Sequence, residues 1–404
     1  MTSSPVPGPA PAPAPVKPGQ LAWLEGELRQ WQALGLLEAP TADAIRARYV
    51  AVRRFSLVRL LLGLGVCFFG VGVLWLVAAN LDRLTPGLRF TLVVLLWLGL
   101  TAAAEAVALR RPRWGGSAVV GAARVLAALS FGAVVFQAAQ SLQVPAYEPR
   151  LLGIWGLGAL LYAYAVAAVS PLLVGLSIST AWFVWHVADS ADSGMGFVAA
   201  LLVGGLVAAS VAVLHASRLL PRFAVPWREV GALLVLIGLF AAALPFVTAE
   251  DFRWPALLTL GLVVAAVAAA AALLLADREG RLELVAPVAA LGAGLLLVLW
   301  DPGVTDASEV TGTAYLHAFV SVAVYLAAAG WYAVLGTLRD TTRLTVLATG
   351  ALVVFTTVQA FAVFAPIISR ATLFLLVGAV LVGSGFVVDR GRRHLVATIE
   401  GGAS

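Results

Sequence analysis

The chain has 404 residues, of which 61% are hydrophobic and only 12% charged, with a formal net charge of +5. A soluble domain of that length could not cover its surface with so few charges, so a soluble globular protein is excluded. The basic excess would suggest nucleic acid in a soluble protein; here cytoplasmic loops, which collect Lys and Arg in membrane proteins, account for it, and nucleic-acid binding is not expected.

Residues 1–20 carry Pro5, Pro7, Pro9, Pro11, Pro13, Pro15 and Pro18, alternating largely with Ala. Such a stretch predicts a disordered, partly polyproline-II tail. It has no basic segment followed by an apolar one, so it does not read as a signal peptide. Residues 21–56 predict a small cytoplasmic helical hairpin. Leu21, Leu24, Leu28 and Trp31 recur with helical spacing, and Pro40-Thr41 restarts the chain with Thr41 as the expected N-cap. The second helix is expected to run through Ala44, Ile45 and Tyr49, studded by Arg46, Arg48, Arg53 and Arg54. The hairpin either rests on anionic headgroups or docks an unidentified membrane or cytoplasmic protein.

Residues 57–388 predict an all-α, polytopic transmembrane bundle of about twelve spans. They are Leu57–Ala79, Arg89–Leu109, Ala118–Ser141, Leu151–Val169, Pro171–Val187, Met195–Ala216, Glu229–Thr248, Trp254–Ala276, Leu284–Trp300, Ala314–Gly336, Leu344–Ala365 and Ala371–Val388. Most have the roughly 20 residues needed to cross about 30 Å of hydrocarbon. Residues 389–404 form a short cytoplasmic tail.

Arginine sets the orientation. With the N-terminus in the cytoplasm, the inner segments hold seventeen arginines and the outer segments five: Arg83, Arg89, Arg150, Arg253 and Arg370. If only one of the fourth and fifth spans crossed, the downstream bias would reverse. Both cross or neither does, giving twelve spans, or ten if residues 151–187 do not cross. Both termini are cytoplasmic in either case, and the expected location is the cytoplasmic membrane of a bacterium.

Few polar groups lie within the spans. Glu105 and Arg124 sit roughly 6–9 Å deep from the same side on consecutive spans, so they can form an intramembrane ion pair. The structural role, fixing two spans together, is favoured over a proton or substrate site. Gln137 and Gln140 on span three and Gln359 on span eleven are candidates for lining a polar cavity. His186 and His317 read as interfacial, and four scattered histidines (with His215 and His394) make no metal site. Gly153, Gly156 and Gly158 lie in a span with no preceding strand, so close helix packing explains them better than a phosphate loop does. Cys67, the single cysteine, lies in the first apolar run, which excludes a disulfide framework. No catalytic constellation and no cofactor site is found.

The segment Leu24-x-x-Glu27-Leu28-x-x-Trp31-x-x-x-Gly35-Leu36-Leu37, then Ala44-Ile45 and Tyr49, then a Gly-rich span ending in Ala79-Asn80, resembles the bacterial membrane protein family catalogued as domain of unknown function 2157. The resemblance covers roughly residues 21–170 and includes Gln137, Gln140 and Trp155. At Leu81 family members often carry Trp. The resemblance implies a multi-span cytoplasmic-membrane protein with an N-terminal cytoplasmic helical segment, and brings no activity with it. Two functions stay open from the residues themselves. One is a transporter-like or lipid-handling protein; the other is a non-transporting scaffold or sensor that docks a partner through residues 21–56.

Overall fold

The computed structural model describes residues 14–16, 18–51, 85–110, 118–145, 148–217, 220–244, 246–300 and 312–359, with isolated positions between 61 and 72 and between 378 and 383. The chain divides into two compact units, residues 1–69 and 70–404.

In the first unit, the Pro/Ala-rich stretch contributes strand β1 (Ala14–Val16), which pairs in parallel with β2 (Tyr49–Ala51). Between them lie helices α1 (Pro18–Ala33) and α2 (Ala39–Ala47). The expected stripe on α1 is the less exposed face, with Leu28 buried and Leu21, Leu24 and Trp31 partly so. Across the turn, Arg46 donates its Nε to Glu25 Oε1 at 2.9 Å. Two local expectations need correction. The N-cap of α2 is Glu38, and Thr41 lies inside the first turn behind Pro40, which suits that turn because its missing N–H would have no helical partner there. Tyr49 leaves the helix for β2, where its β-favouring ring suits an extended backbone.

The second unit is all-α among the described residues. Its helices are α3 (Pro86–Arg110), α4 (Ala118–Ser141), α5 (Pro149–Ala165), α6 (Val169–Ala191), α7 (Gly194–Ser217), α8 (Pro221–Ala242), α9 (Ala256–Leu275), α10 (Arg278–Glu283), α11 (Val285–Leu299), α12 (Gly312–Leu338) and α13 (Thr342–Gln359). Taking α10 and α11 as one segment, nine helical segments among the described residues are long and apolar enough to cross a membrane. With α5, at 17 residues, they correspond to ten of the twelve expected spans. The first and twelfth expected spans lie, apart from isolated positions, outside the described residues.

Three boundaries differ from expectation. The break between the fourth and fifth spans is at Val166–Ala168, where Ala167 takes a left-handed φ of 47°, and Ser170 is helical. Pro171 is accommodated because it falls in the first turn of α6. The seventh span starts eight residues early, at Pro221, so Arg222 and Arg228 are helical residues rather than loop. The ninth span is preceded by the short helix α10, capped by Asp277, whose Oδ1 accepts from the N–H of Gly280 at 2.8 Å.

Helix α7 is the centre of this unit. It is apolar on every side, which only a helix surrounded by others can be, and it packs against α6, α8, α9 and α11. Its crossing with α8 is made at two glycines: a Cβ on Gly231 would meet Gly205 O at 3.1 Å and Ala209 N at 2.9 Å. Small residues at such crossings let backbones approach where no water is present to drive association. The glycines of α5 serve the same end. Gly156 faces Ser179 on α6, Gly158 faces the Phe131 ring on α4, and Gly153 faces Trp182.

Candidate functional site

Four features of the second unit carry polar or ligand-sized chemistry. The first joins α3, α4 and α5. Arg124 donates its Nε to Glu105 Oε1 at 2.8 Å and its Nη2 to Oε2 at 2.6 Å, a bidentate fork that matches the planar carboxylate. Tyr162 on α5 donates its hydroxyl to the same Oε1 at 2.7 Å. Three consecutive helices therefore converge on one carboxylate. Sequence reasoning placed Glu105 beside Arg124 and missed Tyr162, whose only signal was a tyrosine near the end of an otherwise apolar run.

The second is a buried clamp at the opposite end of the chain's helical order. Glu283, 4% exposed, ends α10 and receives two arginines. Arg228 of α8 donates its Nε to Oε2 at 2.9 Å and its Nη2 to Oε1 at 3.2 Å. Arg339, just beyond α12, donates its Nε to Oε1, and its Nη1 lies 3.1 Å from Glu279 Oε2. One carboxylate thus ties the ends of α8, α10 and α12. The early start of α8 is what makes this possible, since it carries Arg228 onto a helix face. Beside the clamp is a cavity of about 510 Å³ lined by Val213, Ala216, Ser217, Leu275, Asp277 and Arg339, among others.

The third is a hydrogen-bonded chain around His215. Its Nδ1 lies 2.7 Å from Val211 O and its Nε2 3.0 Å from the Tyr164 hydroxyl. A carbonyl only accepts, so Nδ1 carries the hydrogen, and in the neutral ring Nε2 accepts from Tyr164. Trp227 in turn donates its Nε1 to the Tyr164 oxygen at 3.1 Å and stacks on the imidazole. Every polar atom has a partner, so the arrangement joins α5, α7 and α8 without leaving a group for chemistry.

The fourth is an apolar cleft of about 240 Å³ between α6, α7, α8 and α9, lined by Leu176, Phe183, Gly204, Leu234, Leu260 and Val264 among others. Trp227 forms part of its wall, which places the His215 chain next to it.

The expected glutamine cavity needs correction. Gln137 and Gln140 are on α4, whose principal neighbours are α3, α5 and α6; Gln359 is on α13, which packs on α12 and α8. The helix order keeps the two sets apart: Gln140 is exposed and Gln359 is buried. His317, read as interfacial, lies near the start of α12 with its side chain inside the bundle. It is buried, 3.0 Å from Leu297 O through Nε2 and edge-on to Trp300, because a buried ring nitrogen needs a partner and the end of α11 supplies one. Among the described residues, no three His, Cys, Asp or Glu side chains converge.

Helices α3 to α5 and the Glu105–Arg124–Tyr162 junction fall in a stretch with a recognisable sequence pattern. Residues 29–172 match the family model described as predicted membrane protein (DUF2157). The chain is a membrane protein with several apolar helices. The DUF2157 match includes the junction and Trp155, whose Nε1 donates to Ala128 O at 2.9 Å between α4 and α5. It ends in the first turn of α6, so the clamp, the His215 ring and the whole lining of the cleft lie beyond it. No curated protein and no solved structure matches the chain.

Proposed function

We propose that the protein is a twelve-span, non-enzymatic, lipid-handling protein of a bacterial cytoplasmic membrane, with both termini in the cytoplasm. The arginine bias supports the orientation. The span-length α6 supports twelve over ten: the bias requires the fourth and fifth spans to cross together, and α5 at 17 residues reaches about 25 Å.

The observation that carries the lipid reading is the cleft between α6 and α9. A polar solute crossing the membrane needs charged or polar groups near the midplane, often beside broken helices. The cleft offers a largely apolar wall instead, interrupted by Ser179, Thr180 and the indoles of Trp182 and Trp227. At about 240 Å³ the cleft is smaller than the roughly 300–1,000 Å³ of pockets that hold drug-sized molecules. A narrow acyl chain fits that shape, and occupancy would be driven by packing, since lipid tails already see an apolar solvent.

Gly204 gives the test. A Cβ there would meet Leu234 at 3.4 Å and Phe183 at 3.8 Å, ordinary contact distances, so the backbone tolerates a side chain at this lining position. Gly204→Leu should lower acyl lipid retained by the purified protein by a factor of roughly ten, equivalent to about 1.4 kcal/mol of lost packing. Lipid mass spectrometry of purified wild type and variant measures it. Equal retention would refute the reading.

The exposed Trp23, Leu34 and Leu36 of the first unit favour a second reading, a scaffold or sensor that docks a protein partner. In that case Gly204→Leu is silent, while deleting residues 18–51 removes the co-purifying protein.

A further inference from the structure

We propose that the cavity of about 510 Å³ beside the clamp binds the headgroup of an aminophospholipid of the inner leaflet, with Asp277 taking the ammonium and Arg339 the phosphate. The inference rests on the lipid-handling reading and on the cytoplasmic placement of this end of the bundle.

The cavity is built from groups of both signs. Asp277, Glu283 and Arg339 line it, and Arg228 pairs with Glu283 from α8, so two acids and two bases meet a headgroup that is itself zwitterionic. Its floor is fixed, because Glu283 and Arg228 are both more than nine-tenths buried and bidentately joined. Its rim is not. The Arg339–Glu279 contact involves a carboxylate that is 72% exposed, and a pair of that kind is readily exchanged for another anion. A guanidinium has five N–H donors. Arg339 can therefore hold Glu283 through Nε and present its outer face to a phosphate, a geometry that suits its planar fork.

The ammonium side selects the lipid. Asp277 Oδ1 accepts only the Gly280 N–H, and the Ser217 hydroxyl donates to Leu214 O, so both oxygens retain acceptor capacity. A primary ammonium donates three hydrogen bonds and can use them. A quaternary ammonium donates none and is held by aromatic faces, and among the described residues the lining has no aromatic side chain. Val213, Ala216 and Leu275 supply an apolar wall where the glycerol and first methylenes would lie. The cavity is therefore selective for phosphatidylethanolamine over phosphatidylcholine, and the wall selects the lipid over its water-soluble headgroup.

Thermal protection of the delipidated full-length protein tests this, with phosphatidylethanolamine, phosphatidylcholine and glycerophosphoethanolamine as probes. The expected result is protection by phosphatidylethanolamine at concentrations about tenfold below those needed for phosphatidylcholine. Asp277→Asn should abolish that preference while keeping the α10 cap, and Ala216→Trp, at an exposed wall position, should block the cavity from a different side. Equal protection by the two lipids, a preference that survives both variants, or equal protection by the soluble headgroup would each overturn the assignment. A preference lost in Asp277→Asn but unchanged in Gly204→Leu keeps the headgroup site even if the acyl cleft fails.

Discussion

Glu283→Ala should be the most damaging single substitution outside the helix crossings, destabilising the protein by about 3–5 kcal/mol. The carboxylate is 4% exposed and holds Arg228, which is 7% exposed, together with Arg339. Its removal leaves the Arg228 guanidinium, which is 7% exposed and cannot shed its charge, without the carboxylate that holds it. Glu279→Ala is the internal control. That carboxylate is 72% exposed and touches only Arg339, so its loss should fall within about 1 kcal/mol. The third variant separates charge from fold. Arg228→Met with Glu283→Leu replaces the buried pair by apolar volume, and such replacements are often neutral or stabilising. It should recover most of the loss, leaving Arg339 free to keep Glu279. Melting curves of the purified proteins in one detergent give all three values. A Glu283→Ala protein that melts with the wild type would show that the clamp is not holding α8, α10 and α12 together.

The clamp also marks where the sequence stops being informative. Apolar runs are legible because a helix in lipid must satisfy its own backbone and be covered by apolar side chains, so spans announce themselves by length and composition. That logic located ten of the expected helices to within a few residues at most ends, nine of them long and apolar enough to cross a membrane. It failed at Pro221–Arg228, because it treats a charge as the end of a span, whereas a charge paired across helices can sit inside one. Arg228 reads as one more cytoplasmic arginine until Glu283, 55 residues away, is seen against it. Glu105 and Arg124 were legible for the opposite reason: their spans are consecutive, one short loop apart, so a similar depth from the same surface implies proximity. The glutamines had no such constraint. Gln359 and Gln137 lie on spans far apart in the chain, and nothing in either span states which helices become neighbours. Tyr162 and the Tyr164–His215–Trp227 chain share that difficulty, since each joins helices through one side chain per helix. The cleft and the cavity are gaps between helices, and a gap has no residue of its own to read.

The Glu105–Arg124 junction makes a prediction in which the order of effects matters more than their size. Removing either partner should destabilise, and removing both should partly restore stability, with a coupling energy of about 1–3 kcal/mol. Tyr162 makes the two single changes unequal. In Arg124→Ala, Glu105 still accepts the Tyr162 hydroxyl, and a carboxylate stranded in an apolar setting can take up a proton and become neutral. In Glu105→Ala, Arg124 loses both of its hydrogen bonds to the fork and cannot neutralise itself. Glu105→Ala should therefore be the worse of the two. Adding Tyr162→Phe should deepen Arg124→Ala and have little effect on Glu105→Ala, because the hydroxyl's partner is already gone in the second background. Melting temperatures of the five proteins against wild type decide it. A proton or substrate site would instead tolerate the single changes in stability while losing flux, so equal melting of wild type and both single variants would refute a structural junction.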